Sequence, residues 1–207
     1  MKPFVDEAGD RALRAAIKAI EARSAVEVVI AIRHHSGSYL HADLIAGIVA
    51  GWAALAFMLF SPFDFSLMSI LIDPAVAGAL VGLVHTQLPA SRRWLTPRSR
   101  RRQRVAQAAR ATFFDKGVRR TRDRTGVLVY ASLLERMVEV VADSGVVDAV
   151  DADAWRRTVT EIERTLADAM NAVALAGAIE ALGPVCERAL PRAADDENEL
   201  PDEVCAP

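Results

Sequence analysis

The sequence predicts an α/β domain, a small mixed sheet sandwiched between helices, that is interrupted by a two-helix transmembrane hairpin. Three observations carry this. Val26, Val28, Ile30 and Ile32 on one face with Val29 and Ala31 on the other, and the run Val127 to Ala131, read as strands apolar on both faces, as strands covered by helices on each side must be. Helical stripes recur at Leu13, Ala16, Ile17 and Ile20, and at Trp155, Val159, Ile162, Leu166 and Ala169. Between these two groups lie two long apolar stretches, Leu44 to Phe60, which is apolar on every face, and Leu67 to Leu88.

Composition narrows the function classes. The 207 residues carry 25 Lys+Arg against 27 Asp+Glu, a net charge of −2, which excludes a globally basic nucleic-acid coat and an acidic disordered chain. Cys186 and Cys205 are the only cysteines, too few for a disulfide scaffold or a cysteine-cluster zinc site. Mean hydropathy is +0.19, and the apolar excess sits in the two long stretches.

The elements follow in order. Asp6 to Arg23 reads as an amphipathic helix, with Arg11, Arg14, Lys18 and Glu21 off the apolar face. Ser24 to Arg33 then switches to a period of two. Leu44 to Phe60 gives 17 positions without a charge, about 25 Å of helix. Ser61 to Phe65 forms the turn to the second apolar stretch. Two helices with internally satisfied backbones make a spanning unit. Asp73-Pro74 interrupts the second stretch. It is read either as an intramembrane functional acid or as a helix cap with Pro74 as first helical residue, and the cap is favoured. No Lys or Arg stands in the turn, whereas Arg33, His34 and His35 precede the first span. Arg92, Arg93, Arg98, Arg100, Arg101, Arg102 and Arg104 follow the second. By the positive-inside bias both termini are cytoplasmic, in a two-pass membrane protein. The first 40 residues hold no apolar run with a cleavage site of the secretory kind.

After the spans, Arg98 to Asp115 reads as a helix stopped by Gly117. Thr121 to Gly126 is a polar loop feeding the strand Val127 to Ala131, and Met137 to Asp143 is its antiparallel partner across a short turn. Helices start at Asp151 and Asn171, and Gly183-Pro184 kinks the second or starts a short third. The domain organisation expected is therefore 1–39, the first part of the α/β domain; 40–90, the transmembrane hairpin; 91–191, the second part; and 192–207, an acidic solvated tail with Asp195, Asp196, Glu197, Glu199, Asp202 and Glu203. Neither α/β piece can close a core alone, so the first strand pairs with the second across the insertion.

Glu21 to Ile32 resembles the opening helix–strand of TPM domains, which occur in bacterial, thylakoid and animal membrane-associated proteins. The segment from Ala109 to Val146 is closer still to the bacterial membrane-protein branch of that family. Its T-x-x-R-T-G-V-L strand start is met by Thr121, Arg124, Thr125, Gly126, Val127 and Leu128. Its S-L-x-E-R is met by Ser132, Leu133, Glu135 and Arg136, and its D-x-G by Asp143 and Gly145; Asn198 to Asp202 is also similar. The resemblance implies a TPM-type sandwich related to thylakoid photosystem-repair proteins. It leaves activity divided among acid phosphatases, calcium binders and accessory proteins of membrane complexes. The Gly-rich turn of secreted members is reduced here to Asp143-Ser144-Gly145, which argues against a metal.

No P-loop, Cys-x5-Arg, HExxH or D-x-D-x-[TV] is present. Asp123, Asp143 and Asp148 supply carboxylates, and Arg119, Arg120, Arg122 and Arg124 supply charge, for a divalent-cation-dependent phosphatase. Asp143, at a strand end beside a glycine, is the best single cation ligand. Glu135-Arg136 reads as a solvated or cross-turn ion pair, or as a partner contact, and Thr125-Gly126 as a tight lead into a strand. His34, His35 and His41 read as interfacial rather than metal-binding. The first expectation is thus a non-catalytic interaction module of a membrane complex, with the lipid bilayer and either a membrane-protein partner or a second copy as partners and no cofactor. The alternatives are the phosphatase, and anionic-lipid binding through the arginine cluster, with nucleic acid the weaker option.

Overall fold

Strand β1 (Glu27–Arg33) is buried along nearly all its length because helices cover both of its faces. The computed structural model describes residues 3–193, 198–201 and 204–206. They form two compact units, one from the chain up to Ser36 and from Arg102 onward, the other from Gly37 to Arg101.

In the first unit, α1 (Glu7–Glu21) leads into β1. Its N-terminus is capped by Asp6, whose carboxylate accepts the Gly9 N–H at 2.8 Å. After α5 (Arg98–Asp115), the left-handed Gly117 (φ 67°) turns the chain toward β2 (Gly126–Ser132) and β3 (Met137–Ala142). Strand β1 pairs parallel with β2, aligning Glu27 with Gly126 and Arg33 with Ser132, and β2 pairs antiparallel with β3. Helices α6 (Ser144–Ala149), α7 (Ala152–Ala169), α8 (Ala172–Glu180) and α9 (Gly183–Ala189) follow. The larger core puts Val28, Ile30 and Ile32 of β1 and Val127 and Val129 of β2 against Leu13, Ile17 and Ile20 of α1. Ile162 and Leu166 of α7 and Leu175 and Ile179 of α8 complete it. On the other face Val29, Ala31, Leu128 and Tyr130 meet Val105, Ala109 and Phe113 of α5. The mixed sheet between helix layers is as the two-sided strands predict.

Two elements of the first unit differ from expectation. Asp143 to Gly145 does not merely end a strand, for Asp143 caps the short helix α6. The C-terminal segment is not simply a solvated tail either. Val204–Cys205 forms β4 parallel to β1, completing the sheet order β3-β2-β1-β4, and Leu200 packs on the α5 side of the core. The apolar residues spaced among the acids are what dock, covering an edge of β1 that would otherwise stand open. Asp195, Asp196, Glu197, Asp202 and Glu203 lie outside the described residues.

The second unit is built on α2 (Leu40–Phe60) and α3 (Leu67–His85), followed by the short α4 (Pro89–Trp94). Both long helices have the length and composition to cross a membrane, with mean hydropathy 2.0 and 2.1, and most of their side chains face outward. They meet through glycines. A Cβ on Gly47 would fall 2.7 Å from the Gly78 carbonyl oxygen, and one on Gly78 equally close to that of Gly47, with Gly51 and Gly82 one turn on either side. The expected cap at Asp73 is not formed. Helix α3 runs unbroken through Pro74 and is capped by Ser66, whose Oγ accepts the Ser69 N–H at 3.1 Å. A proline inside a helix removes a single N–H and is tolerated in apolar helices of this kind.

Candidate functional site

The motif residues singled out in the sequence separate to opposite ends of β2. At its start, Thr121, Arg124, Thr125, Gly126, Asp143 and Gly145 come together. Thr121 is buried, and its Oγ1 accepts the Thr125 N–H at 2.9 Å, closing the loop on itself. Arg124 sits in the left-handed region (φ 58°) and its carbonyl accepts the Gly145 N–H at 3.0 Å. Neither glycine tolerates a side chain: a Cβ on Gly126 would lie 2.1 Å from the Val118 carbonyl oxygen, and one on Gly145 2.3 Å from that of Asp123. Gly126 and Gly145 are therefore packing positions. Asp143 is 9% exposed; its Oδ1 accepts the Ser144 N–H at 2.7 Å and stands 3.9 Å from an Arg124 guanidinium nitrogen. Its Oδ2 is buried without a hydrogen-bond partner among the described residues. That orphaned oxygen would suit a cation, but one carboxylate is all this place offers. Among the described residues no three His, Cys, Asp or Glu side chains converge to hold a metal ion. Asp123 and Asp148 are exposed, as are His34 and His35.

At the other end of β2, Glu135 and Arg136 part ways. Arg136 is exposed, in the left-handed region (φ 52°), whereas Glu135 is 1% exposed and not a solvated turn residue. Its carboxylate accepts the Ser132 hydroxyl through one oxygen and the Ser36 N–H at 3.0 Å through the other. Ser36 Oγ donates to Ser132 Oγ at 2.6 Å and lies 3.1 Å from the Tyr130 hydroxyl. A buried carboxylate holding two donors is a structural clamp, here fixing the stretch that follows β1 against the β2–β3 turn. Burial raises the Tyr130 phenol above its ordinary value, with the Ser36 hydrogen bond opposing. Burial likewise raises the Glu139 carboxyl, against the pull of Arg102 and Arg110, and pushes the Cys186 thiol up to about 11, away from nucleophilic use.

The second unit contains a polar cluster that sequence reasoning missed. Asp43, in the first turn of α2, is 6% exposed, and His85, at the end of α3, is 7% exposed. His85 donates through Nδ1 to Asp43 Oδ1 at 2.8 Å. Arg92 of α4 adds Nε–H to Oδ1 at 2.9 Å and a terminal N–H to Oδ2 at 2.5 Å. The bidentate fork neutralises the carboxylate, and α4 is thereby tied to the end of the helix pair where α2 begins and α3 ends. In an antiparallel pair the start of one helix meets the end of the other, so Asp43 and His85 were a readable match.

The arginine cluster is thus not uniform. Arg92 is committed to Asp43, and Arg93 is half-buried on α4 beside Trp94, which is 87% exposed. Arg98 and Arg100 are exposed at the start of α5, Arg101 and Arg104 have partners, and Arg102 lies 3.7 Å from Glu163.

No family model matches this chain, and no curated protein matches it. Among solved structures it is similar to the NMR structure of the BA42 protein from the psychrophilic bacterium Bizionia argentinensis, with TM-score 0.59 and 17% identity. The match covers 99% of this chain and 96% of that one. At that identity the likeness speaks to the α/β fold alone.

Proposed function

We propose that this protein is a TPM-like α/β domain anchored at the cytoplasmic face of a bacterial inner membrane by α2 and α3, and that it serves as a non-catalytic accessory module of a membrane complex. The observation that carries this is the outward apolar surface of the two helices. Trp52 is 69% exposed, Phe60 88%, Leu67 82% and Leu71 72%. In water so continuous an apolar surface would drive aggregation, whereas in lipid it is the favourable arrangement. The arginines after α3 and their absence from the connecting turn support cytoplasmic termini. The accessory role is supported by what the motif residues do. Asp143 caps α6, Glu135 clamps Ser36 and Ser132, and Thr121 closes a loop, so the family-like polar groups are spent on architecture.

The full chain should remain in carbonate-washed membranes and keep its C-terminus when intact cells are treated with an impermeant protease. It should lose that terminus in inverted vesicles. Monodisperse behaviour in plain buffer without surfactant overturns the anchoring. Purified in mild detergent, the chain should travel with a second membrane protein in constant ratio, and a partnerless monomer overturns the accessory role. The orphaned Asp143 Oδ2 favours one rival, a cation-assisted phosphatase. Hydrolysis of p-nitrophenyl phosphate that needs Mg²⁺ or Mn²⁺ and is lost in Asp143→Asn would install that reading instead.

A further inference from the structure

Asp73 is the one charged residue between Leu67 and Val84. It stands six residues into α3, about 9 Å along the axis from Leu67, with about 18 Å of helix still to run to His85. Its side chain is exposed on the helix surface, and it makes no hydrogen bond or ion pair with any described residue. Pro74, in contrast, lies in the contact with α2, where a Cβ on Gly51 would come 3.0 Å from its carbonyl oxygen. Acids within membrane spans face the interior of a bundle and pair there, because an unpaired carboxylate in hydrocarbon costs about 3 kcal/mol even on insertion scales. The side chain is also too short to reach the headgroups as a lysine does. A second acceptor stands beside it. Pro74 has no N–H, so the Ile70 carbonyl, one turn away along α3, lacks the donor that position 74 would supply in an ordinary helix.

On the reading that α2 and α3 span the membrane, we propose that the face of α3 around Asp73 and the Ile70 carbonyl docks a transmembrane helix of another protein. That helix carries a lysine or arginine at the same depth. A cation with several N–H donors satisfies both acceptors at once. A second copy of this chain cannot supply it, because no Lys or Arg occurs from Leu44 to Val84. The partner is therefore heterologous, and its recognition element is one basic residue within a span.

The test uses the full chain reconstituted in phosphatidylcholine vesicles with a synthetic leucine–alanine transmembrane peptide. The peptide bears a single lysine, or leucine in its place, a third of the way in. By energy transfer the lysine peptide should associate roughly tenfold more tightly than the leucine peptide. Asp73→Asn should erase that preference, and Asp73→Lys should transfer it to a peptide bearing aspartate. Equal association of the two peptides, persistence of the preference in Asp73→Asn, or Asp73-dependent self-association that excludes the peptide overturns the proposal. Failure of the chain to integrate into the vesicles overturns the membrane reading and this inference together. Integration without a lysine preference overturns the inference alone.

Discussion

In α7 the side chains of Ile162 and Leu166 are fully buried while Arg156, Arg157 and Arg164 point to solvent. In α2 and α3 it is Gly47, Gly51, Gly78 and Gly82 that turn to the partner helix, and Trp52, Phe60 and Leu71 that turn away. The first unit sorts its residues by polarity and the second by size. Water rewards removal of apolar area, so a domain surrounded by water places its largest apolar side chains inside. Lipid is as apolar as leucine, so helices within it gain by close backbone approach, and small residues mark the contact. On the proposal that α2 and α3 lie in lipid, a single chain holds two packing rules, and each can be broken separately.

The largest effect belongs to the first rule. A side chain at Gly126 has no space to enter, because the carbonyl oxygen and carbon of Val118, both backbone atoms, lie 2.1 Å and 3.0 Å from where its Cβ would be. Gly126→Val should cost at least about 4 kcal/mol, enough to unfold a domain of ordinary stability. Asp123→Asn, on an exposed side chain two residues before Thr125, should stay within about 0.5 kcal/mol. Urea denaturation followed by far-UV circular dichroism measures both. Equal losses would mean that the loop is not the rigid, close-packed entry to β2 described above.

Next in size comes the cluster at the helix ends. Asp43→Leu removes the acceptor that His85 and Arg92 share among the described residues and takes away the Arg92 counter-charge. Because Arg92 keeps 22% of its side chain exposed, water recovers part of the loss, and about 2 kcal/mol is expected rather than the full cost of an uncompensated buried charge. Loss of a disulfide engineered between the start of α2 and α4 would report it. Unchanged cross-linking would show that the glycine contact alone holds this unit together.

Much of this architecture was legible in the sequence, and the reasons differ by element. Strands apolar on both faces and the four-three-four-three stripe of α7 are repeated signals, each residue restating its neighbours. The short elements are not. Helix α6 has six residues and β4 two, so neither completes a period that could be recognised. Asp143 and Glu135 were visible as residue types, but whether a carboxylate at a turn meets water or Ser36, 99 positions away, depends on tertiary placement. Asp73 was misread as a cap because a proline usually marks a helix start. Ser66 already supplied one, and a helix with a capped end extends through a single missing N–H. The G-x-x-x-G spacings at Gly47–Gly51 and Gly78–Gly82 stood in plain view. They are informative only once the surroundings are taken to be lipid, since in a water-facing helix the same glycines would merely weaken it.

That last distinction gives the smallest effect and the cleanest contrast, because one substitution should act with opposite signs in the two units. Gly177 lies in the interior of α8, exposed, with no atom within 4 Å of the place a Cβ would occupy. Gly177→Ala therefore gains helix propensity at no steric cost and should raise the stability of the first unit by about 0.5–1 kcal/mol. At Gly78 the same methyl group meets the Gly47 carbonyl oxygen at 2.7 Å, so the helices must separate. Gly78→Ala should lower the stability of the α2–α3 pair by about 1 kcal/mol or more. Thermal melts of the first variant and SDS titration of the second, each against the unsubstituted chain, read the two signs. A stabilising Gly78→Ala would mean that propensity outweighs contact in α3 as it does in α8, and the division between packing by polarity and packing by size would not hold.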